Sequence, residues 1–213
     1  MNFDEFLIRI SKVKNIPLPA QVSQFKMAPP FRLELLEKNK EAIKFAKKAG
    51  VLALFYPDIS QQTNLVLILR KSYEGVHSAQ VGFPGGKLEP NDDSLEHAAL
   101  RETFEEIGVP VLDIEVLSPL TEVYIPPSNF SVTPFIGILN DIPVFKLNSE
   151  VAKIIEIPFP DLLDDTMLAS ISITNSYMKE TSVPCFNFDG SVIWGATAMI
   201  LSEIKELLKN IKP

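Results

Sequence analysis

The sequence predicts an α/β fold (α+β type) in which a mixed β-sheet is sandwiched between helices. Two continuous apolar runs, at residues 51–56 and 65–69, are bounded by turn residues, which is typical of buried strands. More apolar or alternating segments follow a central helix, and the apolar periodicity near each terminus is helical. Strands on both sides of one central helix, with helices at both ends of the chain, favour an α/β/α sandwich.

The elements are predicted in chain order as follows. A helix over residues 3–13 precedes a proline-bearing connector and a short Lys-rich helix near residues 38–48 that ends at Gly50. Residues 80–83 are predicted as a third strand leading into a Pro-Gly-Gly turn. The central helix is expected to begin at Asp92, Asp93 or Ser94, all good N-caps, and to end at Gly108. Later strands are predicted at 111–117, 121–124, 131–139, 151–157, 171–178 and 184–188, before a final helix at 195–210.

Composition narrows the classes of function. The chain has 213 residues, a net charge of −7 and no dense Lys/Arg run, so a nucleic-acid partner is disfavoured. One cysteine excludes an intrachain disulfide framework and a multi-thiolate zinc site, and two histidines disfavour a histidine-rich metal centre. No apolar segment approaches the roughly 20 residues that span a bilayer, and the N-terminus lacks an apolar signal core. We therefore expect a cytoplasmic protein without a membrane partner.

Three acids on the central helix are the main functional signal. Glu102, Glu105 and Glu106 stand at i, i+3 and i+4, so they share an arc of about 100° on one side of the helix. Leu100, Thr103, Phe104 and Ile107 are predicted on the opposite, core-facing half. Neighbouring like charges destabilise an isolated helix, and carboxylate oxygens are the ligands that Mg²⁺ and Mn²⁺ prefer. A solvated acidic face is the structural alternative.

The glycine turn before this helix favours the metal interpretation. Gly85 and Gly86 permit a close approach of main chain to a ligand, and the spacing places them against the acids. The turn lacks the lysine-hydroxyl ending of a P-loop and the dinucleotide-binding fingerprint.

These residues resemble the Nudix box. Gly86, an acid at Asp92 or Asp93, and the block from Arg101 to Val109 (Arg-Glu-Thr-Phe-Glu-Glu-Ile-Gly-Val) match its pattern. The interval from Gly86 to Arg101 is one residue longer than usual, an aspartate replaces the early glutamate, and Thr103 takes a usually aliphatic position. The resemblance implies a single Nudix hydrolase domain over 1–213, with a catalytic loop-helix-loop, a core of about 50–205 and an N-terminal helical extension (1–48) packed on it.

Segments outside the box are similar to the coenzyme A pyrophosphatase subfamily. They are residues 67–72, 77–87, 127–135 and 193–198. Ala79 stands where a glycine is common, and Lys71 where an arginine is common. The resemblance implies hydrolysis of the diphosphate of coenzyme A or its derivatives, giving 3′,5′-ADP and 4′-phosphopantetheine. The partner would be a small nucleotide substrate.

The resemblance also implies roles for the site residues. Glu102 and Glu106 would be primary ligands of Mg²⁺ or Mn²⁺, with Glu105 as a further ligand, directly or through water. Either Glu105 or Glu150 would take the proton of the attacking water. Arg101 would orient one of the box acids rather than touch substrate, and Arg70 and Lys71 are candidates for the substrate phosphates. Gly85 and Gly86 would lie against the nucleotide.

Other residues are assigned with their structural alternatives. His77 could contact phosphate or be a surface residue, His97 is expected to be partly buried, and Cys185 is expected to be packed. Trp194, Phe130 and Phe135 could stack an adenine, although aromatic residues lie in the core more often.

Three functions remain open on the sequence alone. They are a coenzyme A pyrophosphatase, a related enzyme for another substrate such as ADP-ribose or a dinucleotide, and a non-catalytic regulator that keeps the fold. Exposed apolar residues in the N-terminal helix would also allow a homodimer.

Overall fold

The computed structural model describes residues 1–71, 80–175 and 178–211, which form two β-sheets flanked by helices. The larger sheet contains eight of the described strands: β1 (Lys47–Pro57), β2 (Thr63–Arg70), β3 (Val81–Gly82), β4 (Gly85–Lys87), β5 (Ile114–Pro119), β6 (Val123–Ile125), β7 (Phe130–Leu139) and β8 (Val151–Pro158). Its central path runs β3-β2-β1-β7-β5, with β4 paired to β1, β6 to β7 and β8 to β2. Because β1 and β7 are parallel and the other pairs are antiparallel, the predicted mixed sheet is confirmed.

The remaining elements surround this sheet. A second sheet has the order β11-β10-β9, formed by β9 (Leu168–Asn175), β10 (Met178–Phe188) and β11 (Ser191–Trp194). The α-helices are α1 (Phe3–Ile10), α2 (Ala20–Gln24), α3 (Arg32–Lys38), α4 (Lys40–Ile43), α5 (Leu95–Ile107), α6 (Phe159–Leu163) and α7 (Gly195–Asn210). No helix within the described ranges is long and apolar enough to cross a membrane.

The central strands are apolar throughout because each face of the sheet packs against its own core. Leu52 and Leu54 of β1 share one core with Ile107 of α5. Phe55 faces the other way and shares the second core with Phe6 of α1, as well as with side chains of α7. Helices therefore cover both faces, and the predicted α/β/α sandwich is confirmed.

The central helix has defined signals at both ends. The Ser94 hydroxyl accepts a hydrogen bond from the His97 N–H at 3.0 Å, so Ser94 is the N-cap among the three predicted candidates. Gly108 has φ +76° and donates its N–H to the Phe104 carbonyl at 2.9 Å, which ends the helix where the sequence predicted.

The short helix predicted near residues 38–48 is wrong in its bounds. Helix α4 stops at Ile43, and Lys47 already pairs with Phe130 as the first residue of β1. Main-chain pairing with β7 overrides the helical preference of a Lys-rich segment. Gly50 does not cap a helix either, because it lies within β1. Since a Cβ at this position would collide with the Leu95 carbonyl oxygen of α5, Gly50 has a packing role instead. It lets the central helix approach the sheet.

The predicted orientation of the central helix is also partly wrong. Phe104, expected on the core-facing half, is 52% exposed, whereas Glu106 of the acidic side is 2% exposed. The helix packs on the sheet through small and medium side chains on the same side as Glu106, namely Ala98, Ala99, Thr103 and Ile107. The acidic and buried arcs overlap, so one of the three acids enters the interior.

Candidate functional site

A cavity of about 500 Å³ lies between the main sheet, the central helix and the start of α7. Three of the predicted acids line it, Glu102, Glu105 and Glu150, together with Arg70 and Arg101. Lys87 and Glu89 add further charge to this side of the cavity. The predicted glycines Gly85 and Gly86 also line it. Its apolar wall includes Phe83, Ile125, Phe130, Val132 and Ile200. Chain segments far apart in sequence therefore meet around one mixed charged and apolar surface.

Glu106 lies beneath this cavity and is held by two donors. Its Oε2 accepts a hydrogen bond from the backbone N–H of Gly85 at 2.9 Å, and its Oε1 accepts one from Nη1 of Arg70 at 2.9 Å. Burial raises the pKa of Glu106 to about 7, and the like charges of Glu102 and Glu150 add to that rise. The two donors oppose the rise without cancelling it. Glu106 is thus a fixed carboxyl that titrates near neutral pH.

Glu102 packs directly on the glycine turn. A Cβ added to Gly86 would collide with the carboxyl group of Glu102, so the bare glycine leaves the space that this side chain occupies. Burial raises the pKa of Glu102, and its contact with Arg101 acts in the opposite direction. Gly85 has φ +140°, and a Cβ there would collide with Gly50 and Val51 of β1. The two glycines therefore bring the turn into contact with both the sheet and the acids.

Arg101 links the turn to the helix acids. Its Nε and Nη2 donate to the two carboxylate oxygens of Asp92 at 2.9 and 3.0 Å. Its Nη1 lies 3.1 Å from an oxygen of Glu102 and 3.3 Å from one of Glu105. The bidentate contact is the main reason that the pKa of Asp92 falls to about 2. Arg101 thus contacts two of the three helix acids, Glu102 and Glu105, while its bidentate contact with Asp92 holds it in place.

Arg70 lines the cavity, and its guanidinium group is already paired with acids. Besides Glu106, it donates through Nη2 to Glu150 at 3.1 Å. Glu150 precedes β8, and its carbonyl accepts a hydrogen bond from the Lys71 N–H at 2.8 Å. The predicted phosphate contact of Arg70 would therefore compete with two carboxylates.

The donor chemistry of the cavity fits a hard divalent cation. Its carboxylate oxygens are suitable ligands, and the like charges of Glu102 and Glu150 contribute to the raised pKa of Glu106, a repulsion that a divalent charge would relieve. However, no three acid, histidine or cysteine side chains converge tightly enough to hold a metal ion within residues 1–71, 80–175 and 178–211. Arginine side chains lie among the acids instead. The assignment of Glu102, Glu105 and Glu106 as ligands stays a prediction.

Several predicted residues lie elsewhere. Lys71 is exposed and does not line the cavity. Trp194 and Phe135, the predicted candidates for stacking an adenine, do not line it either. Phe130 lines the cavity, with the Lys47 ammonium 5.7 Å from the centre of its ring. His97 is partly exposed at the start of the central helix, and Cys185 is buried. His77 and Ala79 lie outside the described residues.

The sequence interpretation missed two parts of the site. One is Ile125 in the cavity wall, whose position follows from strand pairing between β6 and β7 and has no local signal. The other is Glu203, a fully buried acid on α7 that does not line the cavity itself and accepts a hydrogen bond from the Thr121 hydroxyl. An acid on the apolar side of a helix, flanked by Ile200 and Leu207 at helical spacing, was the signal that could have found it.

Comparisons with known proteins show which family the chain resembles. A family model described as the NUDIX domain matches residues 46–165. An uncharacterized Nudix hydrolase, NudL, from Yersinia pestis (strain Pestoides F) is 32% identical over 146 residues, which are 68% of this chain and 72% of the relative. The fold resembles the Nudix hydrolase RenU from M. smegmatis, with a TM-score of 0.54 and 15% identity over 79% of this chain and 89% of the other. It also resembles a MutT/nudix family protein from Enterococcus faecalis, with a TM-score of 0.50 and 15% identity over 77% and 62% of the two chains.

The family match covers the central helix, the glycine turn and the acids that surround the cavity. Since a family model and a relative of 32% identity agree with the fold, this chain belongs to the Nudix hydrolase family.

Proposed function

We propose that this chain is a metal-dependent pyrophosphohydrolase that cleaves the diphosphate of coenzyme A or its derivatives. The products would be 3′,5′-ADP and 4′-phosphopantetheine or its acyl form. The observation that carries the proposal is the meeting of Glu102, Glu105 and Glu150 with Arg70 around one cavity. Family membership supports diphosphate hydrolysis, and the segments at 67–72, 77–87, 127–135 and 193–198 support the coenzyme A substrate.

Glu102, Glu105 and Glu106 would hold Mg²⁺ or Mn²⁺ in this site. The chemistry that such an ion supplies when bound is neutralisation of phosphate oxygens and acidification of a water molecule. The chain provides the rest. Gly85 and Arg70 fix the carboxyl of Glu106, and Arg101 restrains Glu102 and Glu105. Glu105 and Glu150 line the cavity and are the two candidates to take a proton from the attacking water.

The mixed lining suits a substrate that joins a charged diphosphate to a less polar organic part. Arg70 and Lys87 offer positive charge to phosphate oxygens, whereas Phe83, Val132 and Ile200 offer apolar contact. Arg70 would exchange its contacts with the acids for contacts with the substrate.

Product analysis tests the proposal. The purified chain is incubated with coenzyme A or ADP-ribose in the presence of Mg²⁺, Mn²⁺ or EDTA. We expect metal-dependent release of 3′,5′-ADP from coenzyme A, with a loss of about 100-fold or more in Glu106→Gln, the scale of removing one group that acts in the transition state. Glu96→Gln is the matched control, since Glu96 is an exposed acid of the same helix and does not line the cavity.

Other outcomes point to different functions. Cleavage of ADP-ribose alone would keep the hydrolase and reject coenzyme A as substrate. No turnover of either compound by the wild-type chain would favour a non-catalytic nucleotide-binding regulator.

A further inference from the structure

The N-terminal segment before residue 46 lies outside the matched family domain. It does not line the cavity, yet it hydrogen-bonds to one of the cavity walls. That wall is residues 121–132, which include β6 and the start of β7. Ile125, Ser128, Phe130 and Val132 of this wall line the cavity. Two side chains of the N-terminal segment, Gln24 and Arg32, hydrogen-bond to the main chain of the wall.

Arg32 makes an unusual contact for a buried cation. It is 9% exposed, and its Nη2 donates to the carbonyl of Tyr124 at 2.6 Å. Its Nε has no hydrogen-bond partner, and Arg32 forms no ion pair with any residue that the structure describes. Burial lowers the pKa of this guanidinium, which reflects a charge held away from water without a carboxylate. Such a residue is unfavourable for stability alone.

Further hydrogen bonds connect Tyr124, the partner of Arg32, to residues next to the cavity. The Tyr124 hydroxyl donates to Oδ1 of Asn129 at 3.0 Å, and Asn129 adopts a left-handed conformation with φ +52°. The carbonyl of Asn129 accepts a hydrogen bond from the Lys47 N–H at 2.9 Å. Asn129 stands between Ser128 and Phe130, which both line the cavity. Arg32 therefore holds the strand that orients this turn.

Gln24 forms a second, independent attachment. Its Nε2 donates to the Thr121 carbonyl at 3.0 Å and to Glu203 of α7 at 2.8 Å. The Thr121 hydroxyl donates to the other oxygen of Glu203 at 2.6 Å. Glu203 lies one helical turn after Ile200, which lines the cavity. This buried carboxylate thus joins the N-terminal segment, the wall and α7.

We infer that Arg32 and Gln24 are positioning residues, through which the N-terminal segment holds residues 121–132 in the geometry that binds substrate. The kinetic part of this inference rests on the proposed function, whereas the bracing of the wall does not. The segment is then part of the binding site although it does not line the cavity.

The test compares Arg32→Met, Arg32→Lys and Gln24→Ala with a matched control, Lys26→Ala. Lys26 belongs to the same segment, and its side chain pairs with Glu206 of α7 at 3.0 Å, a residue outside the wall. Amide hydrogen exchange of residues 121–132 reports the bracing without substrate, and kcat and KM for coenzyme A report its consequence. Thermal denaturation shows whether a change in exchange or in KM merely reflects a loss of global stability.

We expect faster exchange of the wall and a rise in KM of about three- to tenfold in Arg32→Met and Gln24→Ala, the scale of one net hydrogen bond. The kcat should change less than about twofold, Arg32→Lys should partly restore KM, and Lys26→Ala should match wild type in exchange and KM. If Arg32→Met does not fold, Gln24→Ala alone tests whether the N-terminal segment positions the wall.

Unchanged exchange of the wall in these variants would overturn the inference, and so would faster exchange with an unchanged KM. If only the melting temperature falls, Arg32 and Gln24 are structural residues. If wild type does not hydrolyse coenzyme A, the proposed function fails, and the exchange comparison alone decides whether the wall is braced.

Discussion

Glu106 combines deep burial with hydrogen bonds from two donors among the described residues, one of them a main-chain N–H. A carboxylate in such a place is less well solvated than in water, so its protonated form is favoured and its pKa rises to about 7. At neutral pH the chain therefore holds a buried acid near its point of half-protonation. Its charge state should influence both stability and the affinity of the site for cations.

The first prediction concerns the pH dependence of stability without divalent metal. The pKa of Glu106 in the folded chain lies above the ~4.3 of an unfolded chain, so the folded state binds the proton more tightly. Its stabilising contribution is complete below about pH 4 and is lost as pH rises through about 7. We expect the free energy of unfolding to fall by on the order of 2 kcal/mol between about pH 5 and pH 8.

Denaturant unfolding in EDTA across this pH range measures the effect. Glu106→Gln should remove most of the fall, because its amide does not titrate, and Glu96→Gln should keep it. Parallel pH profiles for wild type and Glu106→Gln would contradict the assigned pKa.

The second prediction concerns the pair of Arg101 and Asp92, whose bidentate contact is shielded from solvent. In a double-mutant cycle with Arg101→Ala and Asp92→Ala, we expect a coupling free energy of about 1–3 kcal/mol. The exposed pair of Lys44 and Glu41, at 2.8 Å, is the control and should show less than about 0.5 kcal/mol. Equal coupling in both pairs would show that the contact of Arg101 with Asp92 is no stronger than an ordinary surface ion pair.

At the scale of elements, the glycine turn and the central helix form one unit. Gly86 contacts the carboxyl group of Glu102, and Gly85 donates to Glu106. The conformation of the turn is thereby coupled to two acids of the helix. A substitution in the turn should therefore lower catalytic activity more than it lowers the stability of the fold.

Gly86→Ala is the third prediction. The added Cβ would meet the end of the flexible Glu102 side chain, so the chain should fold while Glu102 is displaced. We expect a loss of at least about tenfold in kcat/KM with a stability change below about 1 kcal/mol. Gly82→Ala is the control: Gly82 also lines the cavity, but its new Cβ would lie 4.0 Å from the nearest atom, Oγ1 of Thr197, and would collide with nothing. A similar loss in both variants would mean that the collision with Glu102 is unimportant.

The sequence predicts elements well where one local signal dominates. Ser94 and Gly108 mark the ends of the central helix, and the final helix has the bounds that its periodicity predicted. The start of β1 is different. Its Lys-rich beginning is locally helical, and its structure depends on pairing with β7, more than 80 residues away.

In the site too, features with a local sequence signal are predictable, and features that depend on distant contacts are not. The sequence identifies the acids and the glycine turn, because their spacing is local. It does not reveal that Arg70 lies between Glu106 and Glu150, or that Glu106 is buried, because both depend on how the helix rotates on the sheet. Small residues such as Ala99 set that rotation by allowing close approach to β1.

At the scale of the whole molecule, negative charge is in excess and is concentrated where a cation would bind. The net charge is −7, and four glutamates, at 102, 105, 106 and 150, lie in or beneath one cavity. Arg70 and Arg101 offset part of this charge. The chain should therefore gain stability when a divalent cation binds, because such an ion interacts with the folded arrangement of acids and not with the unfolded chain.

The fourth prediction is a metal-dependent rise in thermal stability at about pH 8, where Glu106 is ionised. For a dissociation constant on the order of 1 mM, addition of about 10 mM Mg²⁺ stabilises the folded chain by about 1.4 kcal/mol, or a few degrees in melting temperature. Glu102→Gln and Glu106→Gln should each lose most of this shift, and Glu96→Gln should keep it. Sodium chloride at matched ionic strength separates binding from screening. An equal shift in wild type and all three variants would place the cation elsewhere, and the assignment of these glutamates as metal ligands would then be wrong.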